Sequence, residues 1–143
     1  MSNLQKFFHR LMKNHTMNAA HTTTSAIQTV EIENLLQNIG FPVNLNVYSY
    51  LAYALFLTSS DETILKSVSK NLYPQIAEKF NTNSACVERS IRHTISRTLL
   101  HGNLELQQKL FRYTISPEKG KPTNTEFLSL LSRKLRNNLN TEN

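Results

Sequence analysis

The sequence predicts an all-α protein: a compact bundle of about six helices containing a helix-turn-helix, preceded by a flexible N-terminal segment. Three observations carry that expectation. The 143 residues include only 3 Gly and 4 Pro, too few turn formers for a many-stranded sandwich or barrel. Apolar residues recur three and four apart in one segment after another, and no segment alternates with the period of a half-buried strand. Capping residues stand at the boundaries of those segments, and no internal repeat is present.

The elements follow in order. Residues 1–12 place Leu4, Phe7, Phe8, Leu11 and Met12 at helical spacing, with Lys6, His9, Arg10 and Lys13 around them, which reads as a short amphipathic segment. Residues 14–25 have no apolar period and read as a linker, so residues 1–25 are set apart from a globular domain over 26–143. In that domain Ile27, Val30, Leu35 and Ile39 fit a helix ended by Gly40, with Pro42 as a stop. Tyr48, Leu51, Ala52, Leu55 and Phe56 mark a second helix, closed by Ser59-Ser60-Asp61-Glu62. Ser60 or Asp61 caps a third, which turns Ile64 and Val68 inward. Pro74 suits the first turn of a helix whose apolar stripe is Ile76, Ala77 and Phe80. Asn81-Thr82-Asn83-Ser84 is a break rich in N-capping residues, and a long helix over 85–100 follows, stopped by Gly102. Residues 104–111 fit another short helix. Thr123-Asn124-Thr125-Glu126 has capping-box spacing and opens a last helix carrying Phe127, Leu128, Leu130, Leu131 and Leu135.

Composition excludes several classes. At 39% hydrophobic and 18% charged, the chain is neither a membrane protein nor a highly charged disordered one. No apolar run approaches the roughly 20 residues that span a bilayer, so no membrane partner is expected. A single thiol, Cys86, fits a reducing compartment, and a cytoplasmic location is expected. The five histidines (His9, His15, His21, His93, His101) lack metal-ligand spacing, and no glycine-rich phosphate loop is present. Cys86 and His93 on one helix stand about 10 Å apart along its axis, too far for a thiol–imidazole pair. Neither an enzyme, nor a metal, nor a cofactor is expected. Tyr48, Tyr50 and Tyr53 read as core or helix-contact rings rather than a base-stacking platform.

The net charge of +6 is unevenly spread. Residues 1–13 carry three cations and no acid; residues 14–62 carry four acids and no Lys or Arg. Residues 63–143 carry 13 Lys or Arg against six acids, a net +7. A positive field there steers polyanions toward the C-terminal half.

A short helix, a polar turn and a longer helix make a helix-turn-helix candidate. On the second helix Val87, Ile91 and Ile95 fall in one sector and pack inward. Arg89, Arg92 and Ser96 fall near the opposite side, flanked by Glu88 and His93. Two outward arginines three apart suit guanine edges in the major groove of double-stranded DNA, each guanidinium giving two hydrogen bonds to O6 and N7. Glu88 accepts from a cytosine amino group or orients a neighbouring Arg, and Ser84, His93 and Arg97 are placed to meet phosphates. The same spacing also fits an exposed face with a Glu88–Arg92 pair across one turn.

Five stretches, in order, resemble the C-terminal DNA-binding domain of the sporulation response regulator family (stage-zero sporulation protein A) of endospore-forming bacteria. They are Ile39-Gly40-Phe41-Pro42, Tyr48-Ser49-Tyr50-Leu51, the run Leu72-Tyr73-Pro74-Gln75-Ile76-Ala77-Glu78-Lys79-Phe80-Asn81, the run Val87-Glu88-Arg89-Ser90-Ile91-Arg92-His93, and Lys121-Pro122-Thr123-Asn124-Thr125-Glu126-Phe127. The resemblance spans roughly residues 26–137. It implies a six-helix effector domain that binds short DNA boxes, often as a tandem pair, and adjusts transcription through RNA polymerase. It also implies base reading by Glu88, Arg89 and Arg92, a backbone contact by His93, and a surface for the polymerase sigma subunit among the later helices.

The chain departs from the family pattern in places. Ala85-Cys86 stands where the family has Ser-Arg, removing a hydroxyl and a cation from the helix start, so fewer phosphate contacts are expected there. Val47 stands for a Gly, and Ala52-Tyr53 for a charged pair, so the second helix is expected to pack differently. Residues 1–25 contain no acid, so no phosphate-accepting receiver is expected within them. Control then falls to abundance, to the N-terminal segment as an oligomerisation or docking helix, or to pairing as a homodimer or with a full-length relative. The rival expectation is a protein-interaction modulator of a full-length sporulation regulator or of RNA polymerase, with weakened DNA binding.

Overall fold

The computed structural model of the chain describes residues 19–41, 46–101, 105, 108, 109 and 121–141. Among them are six α-helices and no strand, an all-α bundle: α1 (Ala19–Ile39), α2 (Asn46–Ser60), α3 (Val68–Asn71), α4 (Tyr73–Lys79), α5 (Ser84–His101) and α6 (Asn124–Thr141). A 3-10 turn, Glu62–Ser67, joins α2 to α3. None of the described helices is long and apolar enough to cross a membrane. The expected N-terminal amphipathic helix, Pro42, and most of the helix expected over 104–111 lie outside the described residues, although Glu105, Gln108 and Lys109 are helical.

Two expectations are corrected at α1. Its backbone is helical from Ala19, inside the stretch read as a linker. Ala19 and Ala20 have high helix propensity, and extending a formed helix avoids the nucleation cost, so the polar run between them and the core is carried along. The inward face is also rotated from the one expected: Val30 is 42% exposed, while Ile32, Leu35, Leu36 and Ile39 are buried. The Ile27 side chain lies outside the described ones. Gly40 closes the helix with φ 102°, its amide reaching the Gln37 carbonyl at 3.1 Å while the Phe41 amide reaches that of Leu36 at 3.0 Å. This Schellman pattern turns Phe41 under the helix, edge-on to Phe127 with ring centroids 5.6 Å apart.

α2 is the rod around which α1, α5 and α6 pack. Its inward residues include Val47, Tyr48, Leu51, Ala52, Ala54 and Leu55. They meet Ile91 and Ile95 of α5 and Phe127, Leu128, Leu131 and Leu135 of α6 in one apolar cluster. Val47 and Ala52, two departures from the family pattern, are thus core residues. Inside the bundle the Thr58 and Ser132 hydroxyls bond each other at 2.5 Å, which satisfies two buried polar groups at once. At the end of α2 the Gln28 amide donates to the Phe56 carbonyl at 3.2 Å and to the Ser59 hydroxyl at 2.7 Å. Arg136 of α6 donates to the Thr58 carbonyl and pairs with Glu62.

Asp61 caps the segment after α2, its carboxylate accepting from the Thr63 amide at 3.0 Å. The expected third helix therefore exists as a 3-10 turn followed by the short α3, with Ile64 and Val68 half-buried.

Candidate nucleic-acid interface

The two helices of the expected helix-turn-helix are α4 and α5. Pro74 sits in the first turn of α4, where an amide proton has no partner to lose. Tyr73, Ile76 and Ala77 are buried, and Phe80 stacks edge-on against Tyr50 (5.1 Å) and Tyr53 (6.1 Å) of α2. Tyr53, a departure from the family pattern, therefore props the end of α4. The three tyrosines of α2 pack as core and contact rings, as expected.

The turn is built from asparagines. Asn81 adopts φ 55°, the left-handed region that asparagine tolerates better than most residues. Its amide reaches the Glu78 carbonyl, and the Thr82 amide reaches that of Ala77 at 2.9 Å, a second Schellman closure without glycine. Two residues on, the Asn83 side chain accepts from the Cys86 amide at 2.9 Å and caps α5. The turn from α4 into α5 is thereby held by its own backbone and side-chain hydrogen bonds.

On α5 Val87, Ile91 and Ile95 are at most 1% exposed, with Thr94 and Thr98 completing the buried side. The other side carries the residues expected to face DNA. Arg89, Arg92, His93 and Arg97 are exposed, and Ser84 and Glu88 are half-buried. The Glu88 carboxylate accepts from Arg92 at 2.5 Å, and the Arg92 side chain is still 56% exposed. Among the described residues neither Arg89 nor Arg97 meets an acid. Ala85 and Cys86 are exposed at the start of the helix, adding no charge there.

The structure adds one group that the spacing of α5 did not indicate. A cleft of about 600 Å³ runs beside α5, bounded by Arg92, His93 and Ser96 on one side and by Lys121 and Thr125 on the other. Lys121 is exposed, so the basic face of α5 continues onto the segment that leads into α6. Asn124 also lines this cleft, its amide donating to the Tyr73 hydroxyl and to the Glu88 carbonyl, each at 3.1 Å. Burial pushes the Tyr73 phenol above its ordinary pKa, against the opposing pull of the Asn124 bond. The cue in the sequence was there: Asn124 follows Thr123, whose hydroxyl already caps the helix by accepting from the Glu126 amide.

The family model described as sporulation initiation factor Spo0A C terminal matches residues 32–135. The match takes in every described helix, at least in part, and both halves of the helix-turn-helix.

Proposed function

We propose, for a chain that belongs to the sporulation initiation factor Spo0A C-terminal family, sequence-specific reading of duplex DNA as a transcription regulator of the sporulation-initiation type. The family is one of DNA-binding regulatory domains rather than of enzymes. The observation that carries the finer reading is the two-sidedness of α5. Its aliphatic stripe is buried to at most 1% exposure, so the helix is held as a rigid rod with Arg89 and Arg92 directed to solvent.

In the major groove each guanidinium offers two parallel N–H groups to guanine O6 and N7. Glu88 holds Arg92 through one edge of its guanidinium, leaves other N–H groups for a base, and itself accepts from a cytosine amino group. Ser84, His93 and Arg97 meet phosphates, which set the register but carry no sequence information. The exposed, uncharged Ala85 and Cys86 favour a second reading: an interaction module that docks on a full-length relative, a second copy or the polymerase sigma subunit, with weak DNA affinity.

Fluorescence anisotropy over several salt concentrations separates the two. A DNA reader prefers a guanine-containing box over a scrambled duplex, and its affinity falls steeply with salt as counterions are released. Equal, weak binding to both duplexes would favour the interaction module.

A further inference from the structure

Asn124 is buried although it stands in a polar surface stretch. Its placement is not explained by the start of α6. Thr123 already caps that helix, its hydroxyl accepting from the Glu126 amide at 3.1 Å and donating to the Glu126 carboxylate at 3.0 Å. The Asn124 amide nitrogen instead serves the helix-turn-helix, donating to Tyr73 at the start of α4 and to the Glu88 carbonyl of α5. A carboxamide has two protons in one plane, so two acceptors satisfy its donor side fully. Burying that group without them would be unfavourable.

We infer that Asn124 is a positioning residue for base recognition: it clasps the backbone of α5 at Glu88 to the first turn of α4 and so sets the rotation and depth of the face that carries Arg89 and Arg92. This rests on the reading that α5 contacts bases. The clasp grips a carbonyl one turn ahead of Arg92 and immediately before Arg89, so slack there moves both guanidinium groups together. Paired hydrogen bonds to one base edge demand angles and distances that a loosened helix does not hold. Phosphate contacts by flexible cations tolerate the same movement. The clasp therefore governs selectivity more than affinity.

The test compares the wild-type chain with Asn124→Ala and Tyr73→Phe. The probe is the duplex that the wild-type chain enriches from a randomised pool, set beside a scrambled duplex, at a temperature where circular dichroism shows each variant folded. Asn124→Ala is expected to lose about tenfold or more of the preference between the duplexes. Its affinity for the scrambled duplex and its salt slope should stay at the wild-type level, since no cation is removed. Tyr73→Phe removes one of two acceptors and should lose a smaller part of the preference; if Asn124→Ala does not fold, this variant decides. A residue that serves only the fold would lower both affinities by one factor. Equal losses, or an unchanged preference, overturn the clasp and leave base reading by Arg89 and Arg92 standing. A wild-type chain that enriches no sequence overturns base reading, and the clasp with it.

Discussion

The Glu88 carboxylate and the Arg92 guanidinium meet at 2.5 Å across one turn of α5, on the face left open to solvent. The sequence allowed an exposed helical ion pair or a base-reading arginine, and one geometry accommodates both. A pair this exposed contributes only about 0.2–1 kcal/mol to the fold, so its loss should be visible in recognition rather than in stability.

Arg89→Ala and Arg92→Ala are each expected to cost roughly 1–3 kcal/mol of discrimination at one base position. Unfolding free energies should stay within about 0.5 kcal/mol of wild type, because both side chains are exposed. Glu88→Gln should act in the opposite sense on affinity: binding to scrambled duplex tightens as an acid leaves the face, while selectivity declines. Anisotropy on single-base variants of the enriched duplex, with urea unfolding alongside, reads all three.

Asn81 holds φ 55° at the end of α4. Asn81→Ala keeps the Cβ but loses the short carboxamide that lets asparagine tolerate the left-handed region, and should destabilise by about 1 kcal/mol. Asn81→Gly removes the Cβ and should match or exceed wild-type stability. Urea midpoints in the order Gly, Asn, Ala are expected; an Ala variant as stable as wild type would disprove the role assigned to this turn.

The Thr58–Ser132 bond links α2 to α6 within the bundle. Thr58→Val strands the Ser132 hydroxyl and should cost about 1–3 kcal/mol. Thr58→Val with Ser132→Ala removes both polar groups together, so the double variant should lose less than the two single losses combined. A double-mutant cycle in urea checks the sign of that coupling.

The Thr63 hydroxyl and amide hold the Asp61 carboxyl below its ordinary value of 3.8. The folded form thus favours the charged carboxylate, and the resulting stabilisation is fully present above the ordinary value. It is lost as pH falls through the lower, folded value. A carbon-detected NMR titration should place the Asp61 midpoint below 3.8 in wild type and higher in Thr63→Ala.

Local physics reached far in this chain. The capping box at Thr123 and Glu126, the proline start of α4, the glycine end of α1 and the two-faced period of α5 each depend on neighbours within one helical turn, and the structure has them as expected. The misses have the opposite character. Val30 fits an apolar period as well as Ile32 does, and only the positions of α2 and α6 select which of them is covered. The polar run before Ile27 has no helical signature of its own, and is helical as an extension of α1.

The sequence by itself therefore determined the all-α class, the helix-turn-helix and the side of α5 that carries arginines, because capping, periodicity and backbone preference act over three or four residues. Tertiary structure alone decided that Lys121 extends the basic face and that Asn124 reaches Tyr73 and Glu88. Those contacts join residues up to 51 positions apart, and no local preference encodes a partner at that distance. Only burial of a shared core brings such groups within hydrogen-bonding range.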